Sequence, residues 1–203
     1  MAAVDQRVEG GQVEVAGLFT AGVPASIIEC PSTAHRGYQA QWSENELDVA
    51  AHFVCPTEKR NLYFTGQVWA EVAASMAWFV GFAREGTILS ASSALNVNDL
   101  VGFFSPAGSA IVQAVARREG VETITTLGTF SDGGVIELGL KVTGGRKGIA
   151  FYAGNERGSF GQFTMPEAST VLALTVAATQ TASTARKFAW WGMLAAQDRK
   201  IES

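Results

Sequence analysis

Alternation of apolar and polar residues with a period of two, interrupted at short intervals by glycine, is the feature that most constrains the fold. From Leu62 to Val72, most alternate positions are apolar, and the positions between them carry a mixed polar and aromatic set. The run from Val135 to Val142 alternates more regularly. A period of two places successive side chains on opposite faces of a β-strand, so both runs are predicted to be half-buried strands. Helical periodicity is poor throughout the chain, which favours an all-β fold.

Turn signals separate the strand-like runs at the spacing of an antiparallel β-sandwich. Thr143–Gly148 is predicted to connect a hairpin and Ser131–Gly134 to form a second turn, because glycine adopts the positive φ angles that tight turns need. Ala110–Arg118 fits a short helix or a strand, and its strand-like neighbours favour the strand. Gly154–Gly161 is glycine-rich but precedes no helix pattern, so a turn is predicted there in preference to a phosphate-binding loop. The remaining predicted strands are Met76–Phe82, Val97–Phe104, Glu122–Phe130, Ile149–Ala153, Val171–Gln180 and Phe188–Met193.

Composition bounds the class of protein. The chain has 203 residues, 47% of them hydrophobic, which suits one good-sized core. Charged residues make up 17%, below the roughly 25% of ordinary soluble domains. This low share favours a protein that is a subunit of an assembly. The net charge is −4 and the basic residues are scattered, which disfavours direct nucleic-acid binding. No apolar run approaches the roughly 20 residues that span a bilayer, and the start has no apolar signal-peptide core, so no membrane association is expected.

No linker divides the chain. We predict an N-terminal arm or first strand pair over residues 1–30 and a β-sandwich domain over residues 31–203. Cys30 and Cys55 are too few for a disulfide scaffold and are predicted to be reduced, partly buried thiols. His35 and His52 lack partners at the spacing of a metal site, so no metal or other cofactor is expected.

Paired carboxylates are the one chemical constellation that the sequence offers. Glu44, Glu46 and Asp48 alternate, so they would share one face of a strand. Retaining glycosidases need two carboxyl groups about 5 to 5.5 Å apart, and some sandwich glucanases place them in a Glu-x-Asp-x-x-Glu strand. Here the third acid would fall on Ala51. A solvated strand face is therefore favoured, no catalytic residue is assigned, and the protein is predicted not to be an enzyme.

The aromatic residues have two interpretations. The five tryptophans could include a platform on which sugar rings stack, but core packing and protein interfaces are the more common uses of tryptophan. The candidates for an interface are the large apolar residues that look excessive for a monomer, and they are Trp69, Phe104, Phe160, Trp190 and Trp191.

The order of these strands resembles that of concanavalin-like sandwiches in tailed-phage virion proteins. The resemblance begins with the strand pair 61–72 and 77–83, in which the second strand contains Val80-Gly81, and continues with 98–104. It extends over the Thr-rich strand, the hairpin and the terminal strands, to about residue 200, without a catalytic signature.

This resemblance implies a concanavalin-like jelly roll and a structural virion protein, with capsid decoration (cement) as the first choice of role. The expected partner is a major capsid protein, the expected state a homo-oligomer (dimer or trimer), and the expected location the outer capsid surface after synthesis in the host cytoplasm. The alternative is a carbohydrate-binding, lectin-like module on the virion surface.

Overall fold

The protein is an antiparallel β-sandwich of the jelly-roll type. The computed structural model describes residues 12–16, 25–30, 32, 36–42, 52–54, 61–146, 148–161, 165–166 and 170–198. Within these residues, no helix has the length and apolar character needed to cross a membrane. The described elements are β-strands in two sheets and two short 3₁₀ turns, which confirms the all-β prediction and the two-layer architecture.

Seven strands form the first layer, called sheet 1, in the spatial order β1-β2-β14-β5-β10-β11-β12. All its neighbouring strands pair antiparallel. The strands are β1 (Gln12–Ala16), β2 (Ala25–Cys30), β5 (Leu62–Ala70), β10 (Val135–Thr143), β11 (Gly148–Ala153), β12 (Glu156–Gly161) and β14 (Arg186–Gln197).

Sheet 2 has the order β3-β13-β6-β7-β8-β9, and β4 also pairs with β13. Single turns of 3₁₀ helix occur at Ala73–Ser75 and Gly144–Arg146. The strands of sheet 2 are β3 (Gly37–Trp42), β4 (His52–Val54), β6 (Met76–Ala83), β7 (Leu100–Ser105), β8 (Ile111–Arg118), β9 (Val121–Thr129) and β13 (Val171–Gln180).

The core lies between the two sheets and follows the predicted alternation. In β5, Leu62, Phe64 and Val68 are buried, and the alternate residues Tyr63, Thr65 and Gln67 face outward. Aromatic rings join the layers: Phe103 of sheet 2 meets Phe151 of sheet 1 edge to face, with ring centres 5.6 Å apart. Such contacts stabilise beyond the area they bury. The sequence pattern therefore identified the inward face correctly.

The outer face of sheet 2 is covered by residues 84–99, which we call the cover segment. Ile88 and Leu95 of this segment pack on Phe79 and Phe104 in a second apolar cluster. The Gln39 amide binds the cover segment through both of its ends, donating to the Gly86 carbonyl at 2.7 Å and accepting from the Ile88 amide at 2.8 Å. Strand β6 is buried along its whole length for this reason, since it has side chains against both the core and the cover segment.

Two glycines allow strands β6 and β7 to lie close together. Gly81 and Gly102 face each other in the ladder. A Cβ atom on Gly81 would lie 2.6 Å from the Gly102 Cα, and Gly81 has a φ of +156°. The glycine within each of these apolar strands is thus required by backbone approach.

Several predicted element boundaries differ from those in the structure. Gly154–Gly161 is not one turn: Gly154 and Asn155 turn the chain, and β12 follows as an edge strand paired with β11. Its polar composition hid it, because an edge strand need not bury alternate residues. Ser131–Gly134 turns the chain as predicted, and it carries β9 of sheet 2 into β10 of sheet 1. The strand predicted over Val97–Phe104 begins later, at Leu100, because residues 97–99 belong to the cover segment.

Cys30 is a free, buried thiol within the core, and its Sγ lies 3.6 Å from the Ala178 carbonyl oxygen. Cys55 lies outside the described residues, and the division at residue 30 remains a prediction.

The buried thiol makes the free energy of unfolding depend on pH. Burial raises the pKa of Cys30 from 9.0 to about 12, so the unfolded chain ionises this thiol first. The contribution of the Cys30 thiol to the free energy of unfolding is constant below pH 9.0. It is lost progressively as the pH rises toward about 12. Denaturant titrations of the native protein and Cys30→Ala should therefore show a difference in unfolding free energy that shrinks across this range. A difference that stays constant would contradict the burial of the thiol.

Candidate functional site

The outer face of sheet 1 carries a shallow depression of about 370 Å³, which we call the tyrosine depression. Strands β14, β5, β10 and β11 supply its floor and walls. It is lined by Tyr63, Phe64, Thr65, Gly139, Leu140, Lys141, Tyr152, Leu194 and Ala196.

Cross-strand register brings the two tyrosines to opposite sides of this depression. Tyr63 on β5 is opposite Lys141 on β10, and Gly139 on β10 is opposite Tyr152 on β11. One strand therefore separates the tyrosines, a distance of roughly 10 Å across the sheet. Gly139 lies between them without a side chain, so it leaves the floor open.

Each tyrosine is paired with a cation. The Lys141 Nζ lies 5.6 Å from the centre of the Tyr63 ring. The Arg157 guanidinium lies 5.7 Å from the centre of the Tyr152 ring. Both distances permit cation–π attraction. Neither cation forms a salt bridge with a described residue, so both positive charges are available to an anionic ligand.

The Tyr63 hydroxyl is held by a neighbouring side chain. The side-chain amide of Asn61 donates a hydrogen bond to it at 2.8 Å. This hydroxyl contacts no other polar partner among the described residues. A tyrosine hydroxyl in this setting has its proton free to donate to a ligand oxygen.

The predicted interface residues do not gather at one surface. Phe104 is buried beneath the cover segment, and Trp190 is buried in the core, 6.4 Å from the Phe188 ring. Phe160 is half-buried against Phe151, with ring centres 5.0 Å apart. Trp69 and Trp191 lie half-buried on the outer face of sheet 1, and the Trp69 indole donates to the Gly133 carbonyl at 3.0 Å. Their role in an interface, and homo-oligomerisation itself, remain predictions.

Glu44, Glu46, Asp48 and His35 lie outside the described residues, so the structure does not place the carboxylate constellation. The backbone of His52 pairs with Ala173. In the described part of the chain, no three His, Cys, Asp or Glu side chains are grouped to hold a metal ion.

Sequence reasoning missed the tyrosine depression, although half of its signal was available. The alternation in β5 placed Tyr63 and Thr65 on the outer face, and the alternation in β10 placed Gly139 and Lys141 there. What the sequence did not contain was the register that sets Tyr63 opposite Lys141 and places Tyr152 across Gly139.

The structure is thus a jelly-roll β-sandwich with an open, tyrosine-lined depression on the outer face of sheet 1. Solved structures share this fold. Alginate lyase AlyC3 in complex with dimannuronate matches with a TM-score of 0.58 and 11% identity, over 91% of this chain and 81% of that chain. Alginate lyase A1-II', a member of polysaccharide lyase family 7, matches with a TM-score of 0.57 and 8% identity, over 93% and 84%. A protein of unknown function from Shewanella oneidensis MR-1 matches with a TM-score of 0.57 and 12% identity, over 98% and 81%.

No protein-family model and no curated protein matches the sequence. At these identities the structural likeness establishes the fold alone.

These comparisons correct the functional prediction. The predicted non-enzymatic virion protein, with its capsid-decoration role, rested on strand order. The solved structures that share the fold are mostly alginate lyases, which are enzymes, and they provide no link to a phage virion. The concanavalin-like fold is confirmed, whereas the virion role and the prediction of no enzymatic activity are wrong.

Proposed function

We propose that this protein is a polysaccharide lyase that cleaves an acidic polysaccharide in the tyrosine depression. The observation that carries the proposal is Tyr63 in an open depression: its hydroxyl donates to no described residue, and its ring lies beside the Lys141 ammonium, which forms no salt bridge with a described residue. The fold shared with AlyC3 and A1-II' supports it, since both proteins are alginate lyases.

The chemistry needed for lysis matches these groups. In β-elimination from a uronic acid unit, the C5–H bond and the bond from C4 to the glycosidic oxygen break, and a C4=C5 double bond forms. The leaving oxygen must gain a proton, and the carboxylate must be stabilised while C5 loses one. In one concerted step, the Tyr63 hydroxyl passes its proton to the leaving oxygen while the same Tyr63 oxygen takes up the C5 proton, so the residue ends in its starting state. The ammonium of Lys141 binds the carboxylate.

The second tyrosine–cation pair extends the site by one sugar unit or more. Tyr152 is 43% exposed and presents a ring on which a pyranose can stack. Arg157 pairs with it in the β11–β12 ladder and offers a planar, bidentate partner for a further carboxylate. Lys141 and Arg157 lie on strands two apart, so their carboxylate partners belong to sugar units roughly 10 Å apart.

The decisive experiment combines a substrate assay with a variant that fills the depression. The purified protein should release ultraviolet-absorbing unsaturated sugars from alginate or another polyuronate, and none from a neutral glucan. Gly139→Val should lower kcat/KM by at least about 10-fold to 200-fold, the range for a misfit of a single methylene group in a binding pocket. The fold should survive this change, because a Cβ there would lie 3.6 Å from the Tyr152 Cβ, an ordinary contact.

Gly161→Val is the matched control for the filled depression. Gly161 lies on edge strand β12, is not part of the depression, and has no atom within 4 Å of an added Cβ. Its activity should equal that of the native protein. Absence of unsaturated product from every polyuronate tested, binding without cleavage, or equal losses in both variants would contradict the proposal.

A further inference from the structure

We infer that Asn61 is a positioning residue that fixes the direction of the Tyr63 hydroxyl proton. This inference rests on the proposed function of Tyr63, and it concerns a residue just outside the tyrosine depression. Asn61 directly precedes β5 and joins three distant parts of the chain: the start of β5, the turn after β10, and the residue that follows β14.

The orientation of the Asn61 amide is set from both sides. Its Oδ1 accepts a hydrogen bond from the Gly144 backbone amide at 3.0 Å. Its Nδ2 donates to the Asp198 carboxylate at 2.8 Å. An amide turned the other way would place its oxygen against a carboxylate and its NH₂ against an N–H donor, so only one orientation satisfies both neighbours.

This orientation determines the role of the Tyr63 oxygen. One hydrogen of the Asn61 NH₂ goes to Asp198, and the other goes to the Tyr63 hydroxyl at 2.8 Å. Because the amide nitrogen has no lone pair to offer, the Tyr63 oxygen must accept there and cannot donate. The Tyr63 proton is therefore directed away from Asn61 and is available to a ligand in the depression.

Two hydrogen bonds of the Asn61 backbone also hold this residue in place. The Asn61 amide donates to the Asp198 carboxylate at 3.0 Å, and the Asp198 amide donates to the Asn61 carbonyl at 3.0 Å. This reciprocal pair holds the position of the Asn61 side chain, so the Tyr63 hydroxyl is oriented before any ligand binds.

The test is a double-mutant cycle between Asn61→Asp and Tyr63→Phe. Asn61→Asp keeps the size of the side chain but replaces the donor by an oxygen, which would accept the Tyr63 proton and turn it away from the depression. We expect kcat to fall on the order of 10²-fold, the lower end of the contribution of a positioned proton donor, with KM little changed. In the Tyr63→Phe background, Asn61→Asp should cause no further fall in kcat.

Asn98→Asp is the matched control, because it makes the same substitution at an exposed residue of the cover segment, away from the tyrosine depression, and should preserve kcat. If Asn61→Asp does not fold, Asn61→Ala carries the same cycle, and its fall in kcat should likewise vanish in the Tyr63→Phe background. Losses that multiply across the cycle would show that Asn61 acts independently of the Tyr63 hydroxyl and would overturn the inference.

A neutron structure of the native protein in D₂O tests the inference without a substrate. The Tyr63 deuteron should point into the depression, with the two Asn61 Nδ2 deuterons directed to Asp198 and to the Tyr63 oxygen. A Tyr63 deuteron lying between its oxygen and Asn61 would overturn the inference and leave the proposed function standing. Absence of unsaturated product from the native protein would instead remove the proposed function, whatever the deuteron positions.

Discussion

Tyr63→Phe is expected to lower kcat by about 10²-fold to 10⁴-fold, the contribution of a positioned general acid–base group. The change removes one oxygen and leaves the ring that contacts Lys141, so carbohydrate binding should change much less than turnover. The measurement is steady-state release of unsaturated product from a polyuronate, with binding followed separately by calorimetry.

Tyr38→Phe is the matched control for this prediction. It removes the same atom from a tyrosine that is buried in the core, 4% exposed and remote from the tyrosine depression. Its kcat should equal that of the native protein. Retention of full turnover by Tyr63→Phe would exclude Tyr63 from proton transfer, and an equal loss in Tyr38→Phe would point to a general effect on the fold.

Phe103→Ala is expected to lower the free energy of unfolding by about 3 to 5 kcal/mol, the range for removal of a large buried aromatic residue. Phe103 is fully buried and meets Phe151 edge to face across the two sheets, with ring centres 5.6 Å apart. Its ring also contacts Phe64 at 6.4 Å, and Phe64 lines the tyrosine depression. Loss of Phe103 therefore removes contacts between the layers and support beneath the site.

Urea titration followed by tryptophan fluorescence measures this loss. Val121→Ala is the control, because Val121 is 74% exposed on edge strand β9 and should change stability by no more than about 0.5 kcal/mol. A Phe103→Ala loss as small as that of the control would show that the layers do not depend on this contact.

The sequence predicted the positions of the strands better than it predicted what packs against them. Alternation in β5 gave the buried and exposed faces correctly, because each residue between two layers has only two directions to point. Strand β12 was missed because an edge strand with polar residues on both faces has no apolar period. The burial of β6 on both faces depends on the cover segment, which packs there through tertiary contacts that no local pattern encodes.

The functional prediction failed for a different physical reason. Strand order specifies how a chain buries its apolar residues, and proteins with unrelated activities share one solution. The candidate site depends on Tyr63, Lys141 and Tyr152, which lie on three different strands and meet only through register. Their polar atoms contribute little to folding, so the pattern of apolar residues along the sequence does not identify these three residues.

The cover segment gives the sandwich two unequal sides. Its large apolar side chains pack on sheet 2, while Ala91 and Ser92 at its tip are exposed to the solvent. A fluorophore, an affinity label or a surface linker attached at that tip would sit on the side opposite the tyrosine depression. Attachment at that tip would therefore immobilise the molecule with the outer face of sheet 1 still open to the solvent.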